Sequence, residues 1–232
     1  MNPRSVYNKI EEFHTFVEEE EVDLVLMSES WEREELTLQE IINLEDHVVI
    51  SNVHQRTGKG GRPAIIVNKE KYIVQNLTNT SIQIKWGIEA VWCLLTPKNV
   101  TQNSKIKNIA CAAIYSKPNS KCKTELLDHI AEAYHTLSTK YGRGLHFIIG
   151  GDTNELKLDA ILSLSPNMIQ IVKLPTRIDP KTGSKKMIDP IIMTLSSYYQ
   201  EPIVMEPLDP DPDKNGKPSD HKIILAKPIS VI

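Results

Sequence analysis

The chain has 232 residues, is 40% hydrophobic and 25% charged, and carries 10 glycines and 14 prolines. That composition excludes disordered, collagen-like and fibrous classes, and the length suits one large domain or two small ones. The net charge of −3 conceals a split: residues 1–47 set three basic side chains against fourteen carboxylates, a net of −11, while the rest sets 24 against 16, a net of +8, so a basic face can coexist with an acidic total.

No apolar run approaches the ~20 residues of a membrane helix. The opening MNPRSVYNKIEEF lacks the apolar core of a secretory signal. Cys93, Cys111 and Cys122 show no metal-ligand spacing, which favours a reduced intracellular protein and excludes a disulfide scaffold.

In chain order, Val6, Ile10, Phe13 and Val17 give residues 5–21 helical spacing, with Ser5 as a candidate cap. VDLVLMS (22–28) has the length of a buried strand and ends at Glu29. LTLQEIINLED is helical or irregular, HVVISNV (47–53) a strand, TGKGGRP (57–63) a tight turn and AIIVN (64–68) a strand. The Gly-Lys-Gly-Gly stretch lacks the closing Gly-Lys-Ser/Thr of a phosphate loop. Strands are expected at 81–86, 88–95 and 108–116, the last containing Tyr115 near its end. A helix is expected over 123–139, and LHFIIGGD (145–152) is a buried strand presenting Asp152. Residues 158–164 are weakly helical, and 168–172 and 187–194 are strand-like. Residues 206–218, with four prolines, form a loop, and HKIILAK (221–227) is a final strand. Strands outnumber helices yet alternate with several of them, which indicates an α/β or mixed-sheet protein.

Polar residues of catalytic type recur where these strands end: Glu29, Tyr115, Asp152 with Asn154, and Asp220-His221 at the start of the last strand. Active sites form where strand ends converge. Each residue has a plainer reading: a solvated loop Glu, an Asx turn, a core tyrosine, a surface histidine. Asp189 is harder to explain so, because a carboxylate inside the apolar run MIDPII costs free energy unless paired, and a histidine is a natural partner.

Taken in order, NPRSVYNK, MSESW, IYSKP, GDTN, PTR, MIDPIIMT and SDH resemble the motifs of the endonuclease/exonuclease/phosphatase superfamily. More narrowly they resemble the apurinic-type endonuclease domain of non-LTR (LINE-like) retrotransposons. The resemblance covers nearly the whole chain. It implies one domain over 1–232 with two mixed β-sheets packed as a sandwich and helices on the outer faces, a four-layer deoxyribonuclease I-like fold. The family has a strand ahead of its asparagine motif; here only Met1 precedes Asn2, so the chain reads as a clipped piece of a longer polypeptide or a compromised domain. Pro190 places a non-donor after Asp189, which predicts an edge or bulged strand there.

The resemblance also implies chemistry: Mg²⁺-dependent phosphodiester hydrolysis that nicks DNA, with Mn²⁺ as the alternative ion. It makes Glu29 and Asp220 the metal-binding residues and Asp152, Asn154, His221, Asp189, Tyr115 and Asn2 the catalytic set, with Thr176 and Ser219 in support. Lys117, Lys121 and Lys123 after Tyr115, and Arg177, Lys181, Lys185 and Lys186 before Asp189, would meet the DNA backbone. The acidic helix at 5–21 would lie away from the duplex. The implied partners are DNA and a reverse-transcriptase polyprotein to which the chain is fused or from which it derives, with no membrane, in the nucleus or the cytoplasm. Two other readings stand beside this one: a phosphatase or phosphodiesterase on a small ester, and an inactive nucleic-acid-binding or scaffolding module.

Overall fold

The computed structural model of the chain describes residues 1–32, 35–52, 61–99, 105–210 and 218–229. Residues 57–60 of the predicted Gly-rich turn, Val53 and residues 211–217 of the predicted Pro-rich loop lie outside them. The elements are α1 (Ile10–Glu19), β1 (Leu24–Met27), α2 (Leu38–Ile42), β2 (His47–Ser51), β3 (Ala64–Asn68), β4 (Tyr72–Asn76), β5 (Glu89–Pro97), β6 (Asn108–Tyr115), α3 (Lys123–Tyr141), β7 (Leu145–Asp152), α4 (Asp159–Leu162), β8 (Ile169–Gln170), β9 (Arg177–Ile178), β10 (Lys185–Lys186), β11 (Ile191–Met193), a 3₁₀ turn at Ser196–Tyr198, β12 (Ile203–Met205) and β13 (Ile223–Leu225).

A six-stranded mixed sheet runs β4-β5-β6-β7-β11-β8. Its one parallel pair, β6 with β7, brackets α3, the crossover that a parallel pair needs. A three-stranded antiparallel sheet runs β1-β3-β2, and β12 pairs with β13. The two larger sheets face each other: Ile50, Ile65 and Val67 of one pack with Val91, Cys93, Ile109, Cys111 and Ile148 of the other. The outer face of the large sheet is covered by Leu126, Ile130, Ala133 and Leu137, the apolar stripe of α3. The outer face of the small sheet is covered by Phe13 and Val17 of α1 and Leu38 and Ile42 of α2. The result is the four-layer helix–sheet–sheet–helix stack expected from the sequence.

Several elements differ from expectation. Helix α1 begins at Ile10, and Ser5 is not its cap; Ser5 has φ 83° and donates its backbone N–H to Glu29 O. The first residues are pulled out of helical geometry to run beside the segment after β1, and Val6 joins the core without being helical. Residues 81–86 form no strand: Ile82 and Ile84 are buried, but residues 77–82 turn back on Leu77 O. Period-two burial there comes from a loop packed on the sheet. The strand at Tyr72–Asn76 was not anticipated, because its polar Gln75 and Asn76 weaken the apolar pattern on an edge strand. Pro190 does not place its strand at an edge; β11 begins at Ile191 and lies between β7 and β8. The proline precedes the ladder, so its missing N–H costs no strand bond.

His129 on α3 packs against Trp92 of β5, and Trp92 Nε1–H donates to His129 Nε2 at 3.0 Å. Burial pulls the His129 pKa down to about 4. A histidine depressed in the folded state lends stability that is present above its unfolded pKa near 6.5 and lost as pH falls toward 4. The loss amounts to ~3 kcal/mol at most. The melting temperature should therefore drop between pH 7 and pH 4.5 by more than that of His129→Gln, which keeps an acceptor for Trp92 but does not titrate. Equal drops in the two proteins would refute this account.

Candidate active site

Four chain segments converge at one end of the sandwich. β7 delivers Asp152 at its last residue, paired in register with Tyr115 at the end of β6. β1, in the opposite sheet, delivers Glu29 just beyond its end. The sheets come close here because Gly150 has no side chain; a Cβ there would sit 3.0 Å from Leu26 Cδ1. The segment before β11 delivers Asp189, and the segment before β13 delivers Ser219, Asp220 and His221.

The N-terminal segment threads between them. Asn2 is buried, and its Nδ2 donates to Glu29 Oε1 at 2.9 Å and to Asp152 Oδ2 at 3.0 Å. Its carbonyl accepts from Ser219 Oγ at 2.8 Å, while Ser219 Oγ also accepts from the His221 N–H. Met1 lies along β1, its carbonyl accepting from Ser28 N. Asn2 is thus tied down at backbone and side chain.

His221 Nδ1 faces both Asp189 oxygens at 2.9 and 3.0 Å. An ionised carboxylate only accepts, so Nδ1 carries the proton and Nε2 is left to the site. Nε2 lies 3.8 Å from Asp152 Oδ2 and 3.8 Å from Asp220 Oδ1. Thr176 Oγ1 donates to Asp189 Oδ2 at 2.7 Å and accepts from the Ile188 and Asp189 N–H groups, which locks the carboxylate against the ring. Asn154 adopts φ 45°; its N–H donates to Asp152 Oδ1 and its Nδ2 to Ser116 O.

Charge follows from burial. Burial first, then the Asp189 charge, pushes Asp152 up to about 7, with His221 opposing. Burial works to lower His221, but the hydrogen bond and charge of Asp189, with Asp152 and Asp220, raise it above its ordinary value. The protonation of each group therefore depends on the charge of the other across the 3.8 Å between them. Burial also opposes ionisation of Asp220, yet the Arg177 hydrogen bond and the His221 charge keep its carboxyl below the usual range.

Asp220 is occupied differently from the other carboxylates. Arg4 Nη1 binds its Oδ1 at 3.0 Å and Arg177 Nε its Oδ2 at 2.8 Å. Lys117 and Lys121 are exposed on the segment between β6 and α3. Lys185 and Lys186 are exposed on β10, whose partner β9 carries Arg177.

Two residues of this site were not foreseen. Trp31 Nε1–H donates to Glu29 Oε2 at 2.9 Å, and Arg4 pairs with Asp220. Trp31 lies within the MSESW motif and Arg4 within NPRS, so the motifs held the signal, but the spacing did not reveal which side chain turns inward. Arg4, Ser5, Trp31 and Asn154 all have left-handed backbone (φ 48°, 83°, 56° and 45°). Such strain costs of order 1–2 kcal/mol per residue and gathers at functional sites.

The donor set suits a hard divalent cation. Glu29 has one donor on each oxygen, which leaves each a further lone pair, and Asp152 lies across the same Asn2 amide. Mg²⁺ takes one or two carboxylates with water and phosphate oxygens. Asp152, Asp189 and His221 also have ligand atoms within 4.8 Å of one another. There, however, His221 Nδ1 is already donating to Asp189, and Asp152 stands 3.8 Å from Nε2, so two of the three groups are first a hydrogen-bonded pair.

No family model and no curated protein sequence matches the chain. Solved structures do match. The 3′ phosphatase NExo from Neisseria, bound to a product DNA hairpin, aligns with a TM-score of 0.64 at 11% identity, covering 98% of this chain and 96% of that one. An AP endonuclease from Archaeoglobus fulgidus aligns at 0.64 and 15% identity, covering 99% and 97%. An endonuclease/exonuclease/phosphatase family protein from Leptotrichia buccalis aligns at 0.61 and 16% identity, covering 95% and 92%. The fold is that of the endonuclease/exonuclease/phosphatase proteins. Among the described residues, no helix is long and apolar enough to cross a membrane.

Proposed function

We propose that this chain is a Mg²⁺-dependent phosphodiesterase that nicks DNA, of the kind non-LTR retrotransposons carry beside a reverse transcriptase, and that residues 1–232 form one such domain acting in the nucleus. The observation that carries this reading is the meeting of Glu29, Asn2 and Asp152 with the Asp189–His221 pair at one end of the sandwich. A hairpin-bound structure among the neighbours and the AP endonuclease among them favour DNA as the substrate class.

When bound, Mg²⁺ or Mn²⁺ supplies Lewis acidity at the phosphate and at the leaving oxygen. Glu29 would hold it, positioned by Asn2 and Trp31. Asp152 takes the proton of the attacking water, and Asn154 fixes the orientation of Asp152. His221, charged and held by Asp189, offers its Nε2–H to a phosphate oxygen as negative charge grows there. The Tyr115 hydroxyl serves a non-bridging oxygen. Thr176 and Ser219 set the angles of Asp189, His221 and Asn2. Asp220 stands beside His221 and anchors Arg4 and Arg177 next to the phosphate path. Lys117, Lys121, Lys185 and Lys186 supply backbone affinity.

The test is supercoiled-plasmid nicking with Mg²⁺ and with EDTA, wild type beside Glu29→Ala. Nicking that needs the metal and falls by 10²-fold or more in the variant is expected, in the range set by loss of an electrostatic stabiliser. Hydrolysis of small phosphate esters without nicking would replace DNA by a small substrate. DNA binding with neither activity would make the chain a binding module.

A further inference from the structure

Trp86 is the most exposed large apolar side chain among the described residues, at 80%. A tryptophan left this open gains nothing for the core. It occupies a tight turn in which Ile88 N–H donates to Lys85 O and Gly87 takes φ 85°. That turn feeds β5, whose first residue, Glu89, pairs with Tyr115, which in turn pairs with Asp152. The turn is seated on the segment between β6 and α3: a Cβ at Gly87 would lie 3.4 Å from Cys122 Sγ. Lys121 adjoins Cys122 and Lys117 lies just upstream, both exposed. With strands about 4.8 Å apart and at most ~3.5 Å per residue, Trp86 is within about 20 Å of Asp152 along the same rim.

We propose that Trp86 is a stacking platform for an unpaired base of the DNA strand that enters the site, a few nucleotides from the scissile phosphate. The inference rests on the DNA-nicking reading above. An aromatic face beside exposed lysines is the combination that single-stranded nucleic acid requires: the ring stacks on the base and the cations follow the phosphates. Charge complementarity favours this occupant over an apolar protein surface, because Lys117 and Lys121 would be buried unpaired against the latter. The turn presents the ring without any contact that a smaller residue would break in the core.

The experiment uses a labelled single-stranded oligodeoxynucleotide in EDTA, so that binding is read without cleavage, and then nicking kinetics with Mg²⁺. Trp86→Ala should raise Kd by about 5- to 100-fold, as loss of one stacked base predicts, and the kinetic loss should fall on KM rather than kcat. Trp86→Phe should recover most of the affinity. The salt dependence of binding should be the same in Trp86→Ala as in wild type, whereas Lys121→Ala should flatten it, because only the lysine displaces counterions. Wild-type affinity in Trp86→Ala, with plasmid nicking intact, would overturn the platform alone. A wild type that neither binds nor nicks DNA would overturn both the platform and the reading beneath it.

Discussion

His221→Ala should lower the nicking rate by about 10³-fold or more. The magnitude follows from what the ring does: a positioned acid or oxyanion donor contributes roughly 10²- to 10⁴-fold. Asp189→Asn should lose less, because the ring remains but its tautomer and charge are no longer enforced. Thr176→Val should lose less again, since it acts only through Asp189. The ordering matters more than any single value. A buried ion pair broken on one side is destabilising, so His221→Ala leaves Asp189 and Asp152 buried with one less cation; His221→Gln, which retains a donor, provides the folded control. Normal nicking by either variant would remove His221 from the reaction.

The pH profile carries the same assignment. Asp152 must be ionised to take a proton, and it is held up to about 7, so the rate should rise with pH through that region. A cation beside Glu29 adds positive charge near Asp152, which moves this limb to lower pH. His221 must be charged to donate, and its pKa is raised, so the rate should fall on the alkaline side above the ordinary histidine range. The bell belongs to the pair, not to either residue.

Much of this arrangement was legible in the sequence because strand ends are. The runs AIIVN, NIACAAIY and LHFIIGGD are continuous and apolar, and each is a strand, the last two ending on the expected Tyr115 and Asp152. The stripe of α3 was equally clear. What the sequence could not disclose depends on distant partners. Asp189 announces in the sequence that it needs a partner, and His221 is that partner, but that Thr176 Oγ1 also accepts from the Ile188 and Asp189 N–H groups is not readable locally. Asp220 carries no local sign of Arg4 and Arg177, which reach it from either side. Ser5 reads as a cap because local spacing is helical, yet hydrogen bonds to the segment after β1 hold it in left-handed geometry. Short strands such as β9 and β10 carry no periodicity at all; they exist because Asp179 Oδ1 accepts from two N–H groups and closes the hairpin.

Gly151→Ala should abolish soluble folded protein, the largest effect expected of a methyl added at any of the described glycines. The backbone at Gly151 has φ 140°, and a Cβ built there falls 1.9 Å from Ile114 O and 2.9 Å from Ile114 C and N. No rotamer relieves that overlap, because the clashing atoms are the main chain of the neighbouring strand. Relief requires β6 and β7 to separate at the Ile114–Gly151 pair, one step before Tyr115 and Asp152. The parallel ladder at the centre of the large sheet would open at its functional end. Such overpacking against backbone belongs to the mechanisms that exceed ~4 kcal/mol. Gly142→Ala is the contrast: it also has positive φ, 61° with ψ −142°, but nothing lies within 4 Å of its Cβ, so it should cost backbone strain alone, of order 1–3 kcal/mol. Soluble yield and thermal melts of the two variants decide it. Should Gly151→Ala melt like the wild type, the close approach of β6 and β7 would be wrong, and with it the geometry that places Tyr115 beside Asp152.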